Sequence, residues 1–353
     1  MSKRPSTTDT RPTKRTRSLD SSLGICYAST MGGVEAVKQL LASGVSPTAV
    51  NGHGQTPLHA ASCSGNTETV RLLLEDGTYD PNQNDDELQT PLMAACARGF
   101  LEIVRLLMSD ERVDPNRCDV NLVTAFMRAC GERDDEGGSF LEIVRLFLSD
   151  GRVDPNKSDF EGITPLMRAC QVFPAEEGNA KCRNGSCGKH KGVVVYYDGS
   201  NNFCEECTDW MTTRSAEQIE IVRLLLADER VNPNKTDREG ATALLHCCER
   251  EDIMSLLLAD ERVERKQVCM AKVFATPLHI ACIYGWTNIV RLLLNTPGYN
   301  YKIKAGSAGT RTAFQLALRH CECTKLFLTL TTHLLFARKN IATDLASEVC
   351  TFI

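Results

Sequence analysis

The sequence predicts an all-α fold, a solenoid of about eight helix-turn-helix units. Two recurring phrases and one spacing carry that prediction. The first phrase reads TPLHAASCSG, TPLMAACARG, VTAFMRACGE, TPLMRACQVF, TALLHCCERE, TPLHIACIYG and TAFQLALRHC, with threonines at Thr56, Thr90, Thr124, Thr164, Thr242, Thr276 and Thr312. The second, ETVRLLLEDG, EIVRLLMSDE, EIVRLFLSDG, EIVRLLLADE and NIVRLLLNTP, follows most copies of the first. The threonines are 34, 34, 40, 78, 34 and 36 residues apart, self-similarity at the period of stacked repeats. A degenerate copy, EAVKQLLASG from Glu35, implies a first unit starting near Leu23, so the array runs from Leu23 to about Leu330.

Each unit has its own start and stop signals. Threonine caps the first helix, and the proline that often follows fits the first helical position, where no N–H is needed. In the second helix Ile103, Val104, Leu106 and Leu107 recur at offsets that place them on one broad apolar stripe. VDPN then ends the helix, because Pro115, Pro155 and Pro233 lack an N–H and hold the preceding residue extended. A pair of helices this short cannot bury its apolar face alone, so neighbouring units must stack into a continuous core.

The TPLHxA phrase and the period near 33 residues resemble the ankyrin repeat family over residues 23–330. The resemblance implies antiparallel helix pairs, protruding β-hairpin fingers and a protein-binding role. The finger tips fall at Asp86–Glu87, Val120–Asn121, Phe160–Glu161 and Arg238–Glu239. Gly54, Gly162 and Gly240, two residues before their threonines, suit a turn. Leu88 and Leu122 replace that glycine, which predicts less regular tips. In such a stack, tips and first helices line one concave face. The eighth residue after each threonine, namely Ser64, Arg98, Glu132, Arg250 and Tyr284, should face it. The expected partner surface comprises Asp86, Glu87, Arg98, Asn121, Phe160, Glu161, Arg238, Glu239, Arg250 and Tyr284. Mixed charge with a few aromatic and arginine anchors fits a protein or peptide ligand.

Two units are interrupted. From the threonine to the Glu opening the second helix is 12 residues in the regular case, 18 from Thr124 to Glu142 and 56 from Thr164 to Glu220. The first excess is an acidic, Gly-rich loop around Asp134–Gly138, and the second is a 44-residue insertion. One turn, from Thr242 to Asp252, is shortened by two residues. The predicted organisation is a disordered basic tail (1–20), repeats 1–4 with the first helix of repeat 5 (21–170), a Cys-rich insertion (171–217), the remaining repeats (218–330) and a C-terminal capping helix or tail (331–353).

Seventeen cysteines without an export signal point to reduced thiols or metal ligands. Cys96, Cys130, Cys170, Cys248 and Cys282 each fall six residues after a threonine, and read as small buried packing residues. His59 and His279 read as structural hydrogen-bonding groups within their repeats. The insertion differs: Cys182-x4-Cys187 and Cys204-x2-Cys207 bracket a β-rich stretch from Val193 to Tyr197. Four thiolates so spaced suit a structural Zn2+, with His190 as a substitute ligand, in a segment resembling a zinc-ribbon or treble-clef knuckle. A two-zinc RING would need about eight ligands, more than the four cysteines and one histidine present.

Charge excludes further classes. Residues 171–218 hold five Lys/Arg against seven Asp/Glu, the wrong balance for nucleic acid. No run of apolar residues is long enough to span a membrane. Lys3, Arg4, Lys14, Arg15 and Arg17 resemble a bipartite nuclear-localisation signal, which places the chain inside the cell, in nucleus or cytoplasm. No nucleophile–base set, metal-protease motif or phosphate loop occurs, so no catalytic residues are expected. The sequence therefore reads as a monomeric, non-catalytic interaction scaffold. The alternative is a substrate adaptor in a ubiquitin-ligase complex, with the knuckle or C-terminus recruiting other components.

Overall fold

Threonine does cap the first helix in four of the described repeats. Its hydroxyl accepts the N–H three residues on, from His59 to Thr56 at 3.3 Å, Met93 to Thr90 at 3.3 Å, Met127 to Thr124 at 3.2 Å and Met167 to Thr164 at 3.3 Å. These contacts belong to a computed structural model describing residues 24–46, 49–131, 138–171, 205–265 and 276–296, with 304–305, 311–313, 315 and 324–325. Side chains are described from residue 216 of the fourth stretch. The chain divides into two units, Met1–Phe160 and Glu161–Ile353.

The first unit comprises α1 (residues 24–30), α2 (Val34–Ala42), α3 (Pro57–Cys63), α4 (Thr67–Asp76), α5 (Pro91–Ala97), α6 (Leu101–Ser109), α7 (Ala125–Gly131) and α8 (Phe140–Ser149). Helices α3, α5 and α7 pack as one layer, and α2, α4, α6 and α8 as the second. Between the layers lie Leu58, Val70, Leu73, Leu92, Val104, Leu107, Phe126 and Phe147, all buried. The apolar stripe of α6 is narrower than its pattern suggests. Ile103, Val104, Leu107 and Met108 are buried, while Leu106 is only half-buried.

The VDPN segment does more than stop a helix. Asn82 donates to the Arg112 carbonyl at 2.6 Å and accepts from the Asp114 N–H at 2.7 Å, bridging to the next repeat. Asn116 makes the same pair with Arg152 and Asp154, at 2.6 and 2.8 Å. Arg112 reaches back to the carbonyls of Leu74 and Gly77 at 3.3 and 3.2 Å. Arg152 does the same to Met108 and Val113 at 2.7 and 3.2 Å. Carbonyls left open at a helix end are thereby satisfied by a cation, which also suits the helix dipole.

The second unit contains α9 (Pro165–Cys170), α10 (Glu205–Ala227), α11 (Ala243–His246), α12 (Glu251–Ala259), α13 (Pro277–Tyr284) and α14 (Thr287–Asn295). Strands β1 (Lys304–Ala305) and β2 (Arg311–Thr312) pair antiparallel, Lys304 opposite Thr312. Helices α9 and α11 form one layer, and α10, α12 and α14 the other. The clamp recurs: Asn234 bridges Arg262 and Glu264 at 2.6 and 2.7 Å, and Arg262 reaches the Val231 carbonyl at 3.2 Å. Helix α10 starts fifteen residues before Glu220, so the end of the insertion continues directly into the second helix of repeat 5. The shortened sixth repeat has a first helix of only four residues. Among the described residues, no helix is long and apolar enough to cross a membrane.

The clamp arginines Arg112 and Arg262 are held by carboxylates two residues upstream, Asp110 and Asp260, and Arg230 pairs with Asp228 in the same way, each within 2.7 Å. The neighbouring guanidinium holds each of these carboxyls below the usual range. A depressed folded-state pKa gives stability that is complete above the unfolded value, about 3.9, and is lost as pH falls through the folded value. The urea midpoint should therefore fall as pH drops from about 5 to 3, and the gap between wild type and Asp110→Asn should narrow over that range. A constant gap would deny the pair this role.

Candidate interaction surface

The sequence-predicted tips are tight turns built by one acidic or amide residue. The Asp85 carboxylate accepts from the N–H groups of Glu87 and Gln89, both at 2.9 Å. Its backbone accepts from Leu88 and donates to Gln89, both at 3.0 Å. Asn51–Gln55 and Asp119–Val123 repeat this bonding in the first unit, and Asp237–Ala241 in the second. It is the pattern of a type I turn closed by a left-handed residue. Among the described tips a β-bridge occurs at Cys118–Thr124.

Left-handed φ values of 70°, 84° and 78° fall to Gly54, Gly162 and Gly240, as glycine's freedom requires. Leu88 and Leu122 occupy the same place at φ 59° and 61°. The tips expected to be irregular are thus as regular as the rest. The leucines, not the turns, absorb the difference, at about 1–2 kcal/mol each.

Successive tips are tied by one backbone bond per pair. In the first unit Asp86 donates to the His53 carbonyl at 3.2 Å, Val120 to Glu87 at 3.2 Å and Phe160 to Asn121 at 2.9 Å. In the second, Arg238 donates to Glu161 at 2.9 Å. Asp86, Glu87, Asn121 and Phe160 are all exposed in the first unit, as is Arg98 at the end of α5. In the second unit Glu161, Arg238 and Glu239 are exposed. Tyr284 ends α13, is 66% exposed, and stacks on Trp286 with ring centroids 5.0 Å apart.

Arg250 is placed differently. Its guanidinium binds Asp252 at 2.7 Å and Gln218 at 3.2 Å, and its side chain is 18% exposed. Gln218 in turn donates to the carbonyls of Ala169 and Gln171, at 2.8 and 3.0 Å. Arg250 thus braces the array where the insertion departs. Glu132 lies outside the described residues. Sequence reasoning put Val120 at a tip and Leu88 and Leu122 in the glycine position but left all three out of the partner surface, although they are exposed at 57%, 46% and 46%. The available signal was a large apolar residue where this turn calls for glycine.

Beneath the tips the polar groups are structural. Asp119 pairs with Arg128 at 2.7 Å, largely buried, and Asp237 with His246 at 2.9 Å. The His59 ring joins Thr56 at 2.8 Å to the Gln89 carbonyl of the next repeat at 2.8 Å. Burial lowers its pKa, which favours a neutral ring accepting through Nδ1 and donating through Nε2. His279 and Thr276 repeat the first contact at 2.7 Å. Cys96, Cys130, Cys170, Cys248 and Cys282 are buried, and burial pushes the Cys170 thiol well up, away from the reactive thiolate.

Among the described residues no cluster could hold a metal ion. The ligands Cys182, Cys187, Cys204 and His190 fall outside them, and Cys207 lies in α10 where side chains are not described. Lys3, Arg4, Lys14, Arg15 and Arg17 likewise lie outside.

Comparison with known families fits this geometry. No curated protein matches the chain. Residues 25–119 match the family model described as ankyrin repeats (3 copies), and residues 274–303 match that for the ankyrin repeat. Ankyrin repeats are therefore present in both units.

Proposed function

We propose that the chain is a non-catalytic scaffold that binds a protein or peptide partner through its tips and the ends of its first helices. Ankyrin repeats generally mediate protein–protein interaction, which supports the class of function. The observation that carries the reading is the register of the tips. Turn residues at equivalent positions are exposed side by side and tied by Val120–Glu87 and Phe160–Asn121 backbone bonds, so they act as one surface. Arg238 beside Glu239, and Asn121 beside Val120, leave no run of positive charge for a polyanion.

With a partner identified by proximity labelling, Phe160→Ala and Tyr284→Ala should each weaken binding by about 1–3 kcal/mol at an unchanged melting temperature. Normal binding by both variants, with binding lost on deletion of residues 178–212, would transfer the docking role to the insertion.

The insertion is proposed to carry one structural Zn2+ on Cys182, Cys187, Cys204 and Cys207. Support comes from the cysteine spacing and from the start of α10 at Glu205, directly after Cys204 and two residues before Cys207, which ends the Cys-x2-Cys motif. Native mass spectrometry should show one zinc per chain. Chelation should increase proteolysis within 178–212 and leave the repeats protected. Equal protection with and without metal would rule this out.

A further inference from the structure

The cost of two leucines points to what the first unit's tips bind. Glycine is favoured at this turn position for conformation and for space. A Cβ on Gly54 would lie 2.9 Å from the Asp86 nitrogen of the next tip, and one on Gly162 would lie 2.9 Å from the Asp237 Cα. Leu88 and Leu122 keep a bulky side chain there, at positive φ, and leave nearly half of it in water. Packing does not explain them. Local strain that the fold does not need is characteristic of functional sites.

With Val120 and Phe160, the two leucines place an exposed apolar side chain on each of three consecutive tips. The end of the row at Leu88 is acidic: Asp85, Asp86 and Glu87 precede it, with no Lys or Arg in that turn. Asp85 is engaged by its own turn. Glu87 accepts from the neutral Gln89 amide at 2.7 Å. The Asp86 carboxylate has no hydrogen-bond or ion-pair partner among the described residues. Stacked repeats lie about 10 Å apart, close to the ~9 Å advance of three residues in an extended polyproline-II chain, which returns every third side chain to the same face.

Resting on the scaffold reading above, we infer that the tips of the first unit bind an extended peptide segment of a partner protein. That segment carries apolar side chains at every third position and Lys or Arg at the end that meets Asp86 and Glu87. The apolar side chains cover Leu88, Val120, Leu122 and Phe160, and the cation compensates the open carboxylates.

The test is selection of phage-displayed random dodecapeptides on the full chain, followed by titration of the enriched peptides in fluorescein-labelled form. Enriched peptides should show apolar residues at three-residue spacing beside Lys or Arg. The Leu88→Gly/Leu122→Gly variant should melt at a higher temperature and bind them at least tenfold more weakly, an opposition that a merely structural role does not produce. Asp86→Lys/Glu87→Lys should lose the preference for basic peptides. Peptides that bind the double-glycine variant as well as wild type overturn the inference, and the scaffold reading survives if Tyr284→Ala weakens them. Failure to enrich any peptide overturns the inference alone, since the scaffold reading also covers a folded protein partner. Leucine-dependent flotation with phosphatidylcholine vesicles, or a dimer in light scattering dispersed by the glycine pair, would assign the row to a lipid surface or a second copy and also overturn it.

Discussion

Replacing Phe147 with alanine should destabilise the first unit by about 3–5 kcal/mol, measured by urea denaturation. Phe147 on α8 and Phe126 on α7 are fully buried, and their rings meet with centroids 5.4 Å apart at an interplanar angle of 35°. The rings join the two layers of a single repeat. Truncating one removes its transfer free energy, leaves a cavity beneath the other and forfeits a tilted aromatic contact worth about 0.5–1.5 kcal/mol. Ile143 and Val144, themselves buried, sit one turn earlier on the same helix and restrict collapse into the gap. Leucine occupies the matching place at Leu73 and Leu107, so Phe147→Leu should recover most of the loss. A change under about 1 kcal/mol for the alanine variant would show that the cavity closes and that this repeat is not a rigid joint.

Gly99→Ala should cost about 2–4 kcal/mol, through two separable causes. Gly99 follows α5 at φ 68°, where alanine is strained. An added Cβ would also lie 2.5 Å from the Gly138 Cα and 3.1 Å from the Phe140 ring. Ser139 donates to the Gly99 carbonyl at 3.1 Å, which holds the end of the acidic loop against this turn. Gly77 is the control, since it shares the left-handed backbone (φ 70°) but its nearest neighbour is 4.0 Å away. Gly77→Ala should therefore show the conformational part alone, about 1 kcal/mol. Equal losses for the two variants would mean that the loop yields and that the Gly99–Gly138 contact does not constrain it.

Local chemistry was legible in the sequence. Threonine caps, proline stops, buried cysteines and the repeat itself follow from interactions within a few residues or from periodicity. The Asn82, Asn116 and Asn234 bridges were not, because each spans about one period and only the stacked structure brings its ends together. Position counting placed Arg250 on the partner surface. The two-residue deletion ahead of it shortens α11 and turns its guanidinium towards Asp252 and Gln218. Leu88 and Leu122 were recognised as departures from glycine, but composition gave no way to know that the turn would survive and the side chain would bear the strain. The same limit applies to Leu106, which the stripe includes and the packed helix leaves only half-buried.

Gln218 has a consequence for how this array could have acquired its longest insertion. Through the carbonyls of Ala169 and Gln171 it stitches the point of departure to the helix by which the chain returns. Both ends of the excursion are thus secured by residues belonging to the repeat. The entropy of closing a connection grows only logarithmically with its length, about 0.6 kcal/mol for each doubling. A locus whose two ends are already held together behaves as a socket: sequence can be lengthened, shortened or exchanged between them at little expense to the repeats on either side. The cysteine-bearing segment is then a fitting whose length the stack that carries it does not dictate.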